Sequence, residues 1–184
     1  MDEYQNDQDL KNVIFKRVGK KYCIYNRSPY KNTYEKYTFC FKNMKSPFGI
    51  EKYNYKEIVN FEFTGHRKNN EMLNQVNSIK QLDNFIKNIQ DMELNNSKCV
   101  SMCEDIEEKQ YLSCIRDRNG FDPLIRLHLK KKAKNILTEI YFKQNSSTSI
   151  KDKMCNVKFE VGDVWINDYG YGLILYISEI EVLN

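Results

Sequence analysis

Apolar and polar residues alternate along most of this chain, and the period of that alternation changes partway. Period-2 patterns run through residues 13–18, 22–26, 37–43 and 58–64. These stretches are rich in Tyr, Phe, Val and Ile, side chains that suit a pleated, half-buried surface, so each predicts a strand. Pro29, Ser46-Pro47-Phe48-Gly49 and Thr64-Gly65 punctuate them as turns. The period then lengthens: Leu73, Val76, Ile79, Leu82, Phe85, Ile86 and Ile89 recur three or four residues apart. That spacing stacks them on one face of a helix, capped by Asn69 or Asn70, whose stripe packs on the sheet. Residues 95–110 hold no clear period and carry Glu104-Asp105-Ile106-Glu107-Glu108, which predicts a loop or partly ordered insertion. Strands resume at 111–116, 124–129, 136–142, 157–161 and 171–182, with a mobile loop over 144–153. Trp165 reads as a core or sheet-closing residue, and Tyr169-Gly170-Tyr171-Gly172 as a hairpin turn.

About nine short strands with one helix and no β-α-β rhythm predict a mainly β fold. The expected architecture is an OB-fold-like antiparallel barrel with one amphipathic helix and long loops. Residues 1–11 are expected to be an acidic flexible tail and 12–184 a single OB-like nucleic-acid-binding domain. No apolar run approaches the length of a membrane span, and Met1-Asp2-Glu3-Tyr4-Gln5-Asn6-Asp7 is unlike a signal peptide, so an intracellular, membrane-free setting is expected. There Cys23, Cys40, Cys99, Cys103, Cys114 and Cys155 are thiols.

The net charge of +4 says little until it is placed along the chain. Residues 1–10 carry Asp2, Glu3, Asp7 and Asp9 without a base, whereas residues 11–45 carry ten Lys or Arg against Glu35 alone. A second basic block holds Arg116, Arg118, Arg126, Lys130, Lys131, Lys132 and Lys134 against Asp117 and Asp122. Such segregation suits a polyanion, because phosphate neutralisation supplies most non-specific affinity for nucleic acid. A solvated, merely solubilising face on a protein-interaction adaptor is the alternative reading.

Alternation assigns the faces. Tyr37, Phe39 and Phe41 share one side of their strand and Thr38, Cys40 and Lys42 the other. Tyr22 and Ile24 point inward, leaving Tyr25 outward beside Arg27. Ile125, Leu127 and Leu129 form a buried face, so Arg126 and His128 share the outer one. An outward Arg among lysines and tyrosines suits phosphate contact and base stacking. Tyr30, Tyr34, Tyr53 and Tyr55 lie in loops among lysines. The candidate contacts are Lys16, Arg17, Lys20, Lys21, Tyr25, Arg27, Tyr34 and Lys42 from the first block, and Arg116, Arg126, His128, Lys130, Lys131 and Lys132 from the second.

Catalysis has little to draw on. The two histidines, His66 and His128, occupy no meaningful spacing, and the seven glycines form no phosphate loop. The carboxylates Glu104, Asp105, Glu107 and Glu108 read as a solvated loop, and Cys99 with Cys103 lacks a matching second pair for zinc. No catalytic residue, metal or cofactor is therefore expected.

Three blocks carry a resemblance. They are Lys45-Ser46-Pro47-Phe48-Gly49-Ile50 with the strand Ile58-Val59-Asn60-Phe61-Glu62-Phe63; Phe121-Asp122-Pro123-Leu124-Ile125-Arg126-Leu127; and Gly162-Asp163-Val164-Trp165-Ile166 followed by Tyr171-Gly172-Leu173 and residues 177–182. Their order resembles the single-stranded DNA-binding proteins of large eukaryotic DNA viruses, which are similar to the replication single-stranded DNA-binding proteins of some tailed phages. The resemblance implies an OB-fold that coats single strands during viral DNA replication or recombination, without catalysis. It implies single-stranded DNA as partner, with RNA open, and replication proteins or a second copy of the chain as further candidates. The setting would be a host nucleus or a cytoplasmic viral replication site. Phage members end in an acidic tail that recruits polymerase; here the acidic run is Met1 to Leu10 instead.

Overall fold

The computed structural model describes residues 13–19, 21–27, 33–89, 100–132, 135–142 and 149–183. The expected acidic tail over 1–11 therefore lies outside the described residues. β1 (Val13–Val18) and β2 (Lys21–Arg27) form an antiparallel hairpin, and β3 (Tyr34–Glu35) pairs with β2. After β4 (Thr38–Ser46), a second hairpin joins β5 (Ile50–Tyr53) to β6 (Lys56–Glu62). Helices α1 (Asn70–Lys87) and α2 (Val100–Ile106) precede β7 (Tyr111–Leu112), β8 (Ile115–Arg118) and β9 (Phe121–Leu129). A small pair, β10 (Lys131–Lys132) and β11 (Asn135–Ile136), leads to β12 (Glu139–Phe142), β13 (Lys153–Asn167) and β14 (Gly170–Val182).

The pairings close a ring. β4 pairs β6, β6 pairs β9, β9 pairs β14, β14 pairs β13, and β13 pairs back to β4. Four of these junctions are antiparallel, but β9 and β14 run parallel at His128 and Tyr176. The all-antiparallel expectation is thus corrected to a mixed ring. A parallel neighbour needs a long crossover, and the chain supplies one by passing through β12 and β13 before β14.

Ring closure demands curvature, and bulges provide it. Lys42 and Asn43 of β4 both face Asn156 of β13, with Asn43 at φ 57° and its N–H on the Asn156 side-chain oxygen at 3.2 Å. On β13 the register slips again between Val161 and Val164. Gly162 sits in that slip because a Cβ there would come within 2.3 Å of the Tyr176 ring.

Inside the ring, Phe39, Phe41 and Phe159 interlock with centroid distances of 5.0–5.8 Å. Val59, Phe61, Ile125, Leu127, Leu175 and Ile177 join them. The helix caps this core with Met72, Val76, Ile79, Leu82 and Ile86, and Asn69 caps the helix by accepting from the N–H groups of Glu71 and Met72. Leu73 is a correction: it is 39% exposed, and Met72, one position round the helix, takes the inward place.

Other expectations change as well. Within the stretch expected as a loop, α2 buries Met102 and Ile106, and the Tyr22 hydroxyl donates to Asp105 at 2.6 Å. Seven residues are too few for a helical period to show. The strand expected over 111–116 is broken by Ser113 and Cys114, and the one over 136–142 by Leu137 and Thr138. β13 spans fifteen residues rather than five, taking in Lys153 from the expected loop. The closing hairpin turns at Asp168 and Tyr169, so Gly170, Tyr171 and Gly172 already belong to β14.

Candidate nucleic-acid interface

Strand β9 divides its side chains as alternation requires: Ile125, Leu127 and Leu129 are buried in the core, and Arg126 and His128 face out of the ring. Across the outer face, Asn60 stands opposite Arg126, while Ile58 and Tyr176 flank His128. The β5–β6 hairpin tightens through Asn54 and Tyr55, both at positive φ (46° and 63°), a two-residue turn of the kind that follows strand twist. The hairpin brings Tyr53 over Arg126, whose guanidinium carbon lies 4.3 Å from the ring centroid. From the β13–β14 hairpin come Trp165 and Tyr169. The Asn167 side chain accepts from the N–H groups of Tyr169 and Gly170, which holds the turn and leaves Tyr169 87% exposed at its tip. Gly172 leaves room for the indole, since a Cβ there would stand 3.0 Å from Trp165.

Tyr53, Arg126, His128, Trp165 and Tyr169, with Lys56 and with Arg116 of β8, line an open cleft of about 530 Å³. No Asp or Glu is among the described residues that line it. Glu51 is held one residue away, accepting from the Asn60 side-chain Nδ2 at 2.6 Å while Asn60 Oδ1 accepts from Arg126 Nε at 3.4 Å. Burial, and then the neighbouring Arg126 charge, lower the pKa of Arg116. Burial also pushes His128 down to about 4, helped by the charges of Lys56 and Arg126. Its Nδ1 is buried and has no hydrogen-bond partner among the described residues.

That depression has a measurable sign. An unfolded-chain histidine titrates near about 6.5, so as pH falls from there the unfolded state takes up a proton that the native state refuses until about 4. His128 therefore contributes stability that is fully present above about pH 6.5 and is lost as pH drops toward 4. Urea midpoints followed through this window should fall more in the wild type than in His128→Gln; equal slopes would refute the assignment.

The structure gathers Arg116, Arg126 and His128, from the sequence candidates, into the cleft and distributes the others. Lys21 is paired with Asp163 at 3.1 Å, Lys130 with Glu160 at 3.0 Å and Lys131 with Glu57 at 3.0 Å. Arg17 lies over the Tyr22 ring, Lys16 and Arg27 are exposed, and Lys42 stands on the β4 bulge. Tyr25 and Tyr34 meet edge to face at 6.4 Å, and Lys36 covers the Tyr25 ring at 4.4 Å, making a second aromatic and basic patch. Tyr176 bridges the two patches, touching His128 edge-on and donating to Asp163 at 3.4 Å. Burial raises the Asp163 pKa, but hydrogen bonds from Cys23 and Lys21 and the charges of Lys21 and Lys36 outweigh it and leave it lowered. Lys20 and the Lys132 side chain lie outside the described residues.

Lys56, Trp165 and Tyr169 were not candidates from sequence, and Tyr53 was one only as a loop tyrosine. Trp165, expected in the core or closing the sheet, is instead half-buried at the cleft; Tyr53, Trp165 and Tyr169 all sit beside hairpin turns, the one signal by which they could have been found. Among the described residues no three His, Cys, Asp or Glu side chains converge as a metal site, and no helix is long and apolar enough to cross a membrane.

Comparison with solved structures shows a likeness in fold. The solved structure of gp2.5, a single-stranded DNA binding protein encoded by bacteriophage T7, is similar with a TM-score of 0.49 and 11% sequence identity, over 80% of this chain and 86% of that one. A likeness of that size fixes no function. No family model matches the chain, and no curated protein sequence does.

Proposed function

We propose that the five-stranded ring is an OB-like barrel and that its cleft binds single-stranded DNA with little regard to base sequence and without catalysis. One observation carries this reading: a cleft lined by Arg126, Arg116 and Lys56 together with Tyr53, Trp165 and Tyr169, and by no Asp or Glu among the described residues. Its place supports the same reading. In OB-folds the face of the second and third strands and the loops joining strands one to two and four to five receive oligonucleotides. Counted around this chain's ring, those strands are β6 and β9, and those loops carry Tyr53 and Tyr169. Cations neutralise phosphates and flat rings stack on any base, so affinity needs no particular sequence. A paired duplex hides the base faces that the rings require. Service to displaced strands in viral replication or recombination, the role implied by the blocks that end at 177–182, belongs to the same proposal.

Anisotropy of labelled oligo-dT, titrated at several salt concentrations, tests it. With three cations on phosphates, log K should fall against log salt with a slope near about −2, at roughly −0.7 per contact on a single strand. Matched duplex should bind more weakly. Salt-independent affinity, or a preference for duplex, would instead favour an adaptor whose basic surface only solubilises it.

A further inference from the structure

Two guanidinium groups share the cleft with no carboxylate between them. Arg116 is opposite Leu124 across the β8–β9 ladder, so Arg116 and Arg126 are diagonal neighbours on the outer face. Side chains so placed are within reach of each other, roughly 7–8 Å apart at the backbone. Arg116 is exposed and Arg126 half-buried, so their like charges on one face repel, and an anion bound between them would relieve that repulsion. Nearby cations are treated differently: Arg118 is paired with Glu62, Lys130 with Glu160 and Lys131 with Glu57.

Arg126 is also prepared for a ligand of particular shape. Tyr53 covers one face of its guanidinium, and Nε makes a long contact to the Asn60 side-chain oxygen at 3.4 Å. Its two terminal nitrogens have no partner among the described residues, which leaves the edge of the fork that grips a phosphate with two parallel bonds. The cleft volume of about 530 Å³ falls within the range of pre-formed pockets for small molecules, roughly 300–1,000 Å³.

We propose that Arg116 and Arg126 clamp a single phosphate between them, making the cleft a seat for one nucleotide unit whose base lies against Trp165. This rests on the single-strand reading and names the part of the strand that the cleft takes. It has a consequence that simple tracking of a backbone lacks: a mononucleotide alone is a sufficient ligand.

Trp165 is the chain's only tryptophan, so an NMR correlation spectrum of the full chain contains one indole N–H peak. Titration with thymidine monophosphate should move that peak saturably, and thymidine, which lacks the phosphate, should bind at least about tenfold more weakly. Arg116→Ala and Arg126→Ala should each weaken the monophosphate by about tenfold or more. Arg116→Lys, which keeps the charge, should recover only part of the loss, because an ammonium offers no fork. Peak dispersion in the same spectra shows whether each variant is folded. If the monophosphate binds no better than thymidine, or ignores Arg116→Ala while oligo-dT still binds, the phosphate clamp is wrong and the single-strand reading survives. If the monophosphate behaves as expected and oligo-dT does not bind, the seat stands and the single-strand reading falls. Binding of neither sinks both.

Discussion

Asp83→Ala should destabilise the protein by roughly 2–5 kcal/mol, although Asp83 lies outside the cleft. Its carboxylate is 6% exposed on the inner face of α1 and accepts from the Tyr111 hydroxyl at 2.5 Å, from the Ser113 hydroxyl, and from the Cys114 N–H at 3.2 Å. These bonds tie the helix to the break between β7 and β8. Burial and the Asp83 charge hold both the Tyr111 phenol and the Cys114 thiol well above their usual ranges, so both remain protonated. Alanine would strand the Tyr111 hydroxyl and the Cys114 N–H without an acceptor, at about 1–3 kcal/mol each. Tyr111→Phe removes one stranded donor, so adding it to Asp83→Ala should restore part of the loss in a double-mutant cycle. Urea unfolding gives the numbers. A shift in Asp83→Ala below about 0.5 kcal/mol would mean the anchor is not structural.

Adjacent residues on β9 should fail in opposite ways. Leu127 is 1% exposed within the ring, and Leu127→Ala should cost about 2–5 kcal/mol through lost burial and the cavity left behind. Arg126 faces the cleft, so Arg126→Ala should move stability by less than about 1 kcal/mol, the value of its contact with Tyr53. The same substitution should weaken oligo-dT binding by about 1.5–3 kcal/mol, roughly ten- to a hundredfold, if that side chain holds a phosphate. Thermal melts and anisotropy on the two variants separate the outcomes. An Arg126 variant that melts early yet binds normally would make this arginine a structural element.

Period-2 alternation made the core legible in the sequence. Tyr37, Phe39, Phe41, Ile125, Leu127 and Leu129 are buried as their spacing requires, and the helix with its Asn69 cap follows from a period of three to four. Positions set by long-range pairing were not legible. Nothing local in residues 153–156 shows that β13 starts there, because its extension is dictated by β4, more than a hundred residues earlier. The basic candidates show the same limit. Linear charge density cannot tell Lys130, which Glu160 neutralises, from Arg116, which faces no described carboxylate. Lys56 was passed over because a single lysine between a tyrosine turn and an apolar strand is unremarkable until the hairpin folds it onto β9.

The reach of β13 also sets an order of assembly. This strand pairs with β4 and β14, and it meets β2 through Asp163 with Cys23 and Val164 with Tyr22. During synthesis the β1–β2 hairpin emerges early, but its docking partner lies 140 residues further on. Contacts so distant in sequence pay a large loop-closure cost before they reward it, which slows folding. Until β13 leaves the ribosome, the buried rings of Phe39, Phe41 and Tyr22 lack their cover and the edge of β4 has no mate on that side. A nascent chain of this design exposes an aromatic strand edge for most of its translation, a state that invites self-association. Its yield on expression should therefore respond to elongation rate and chaperone capacity as well as to the stability of the finished ring.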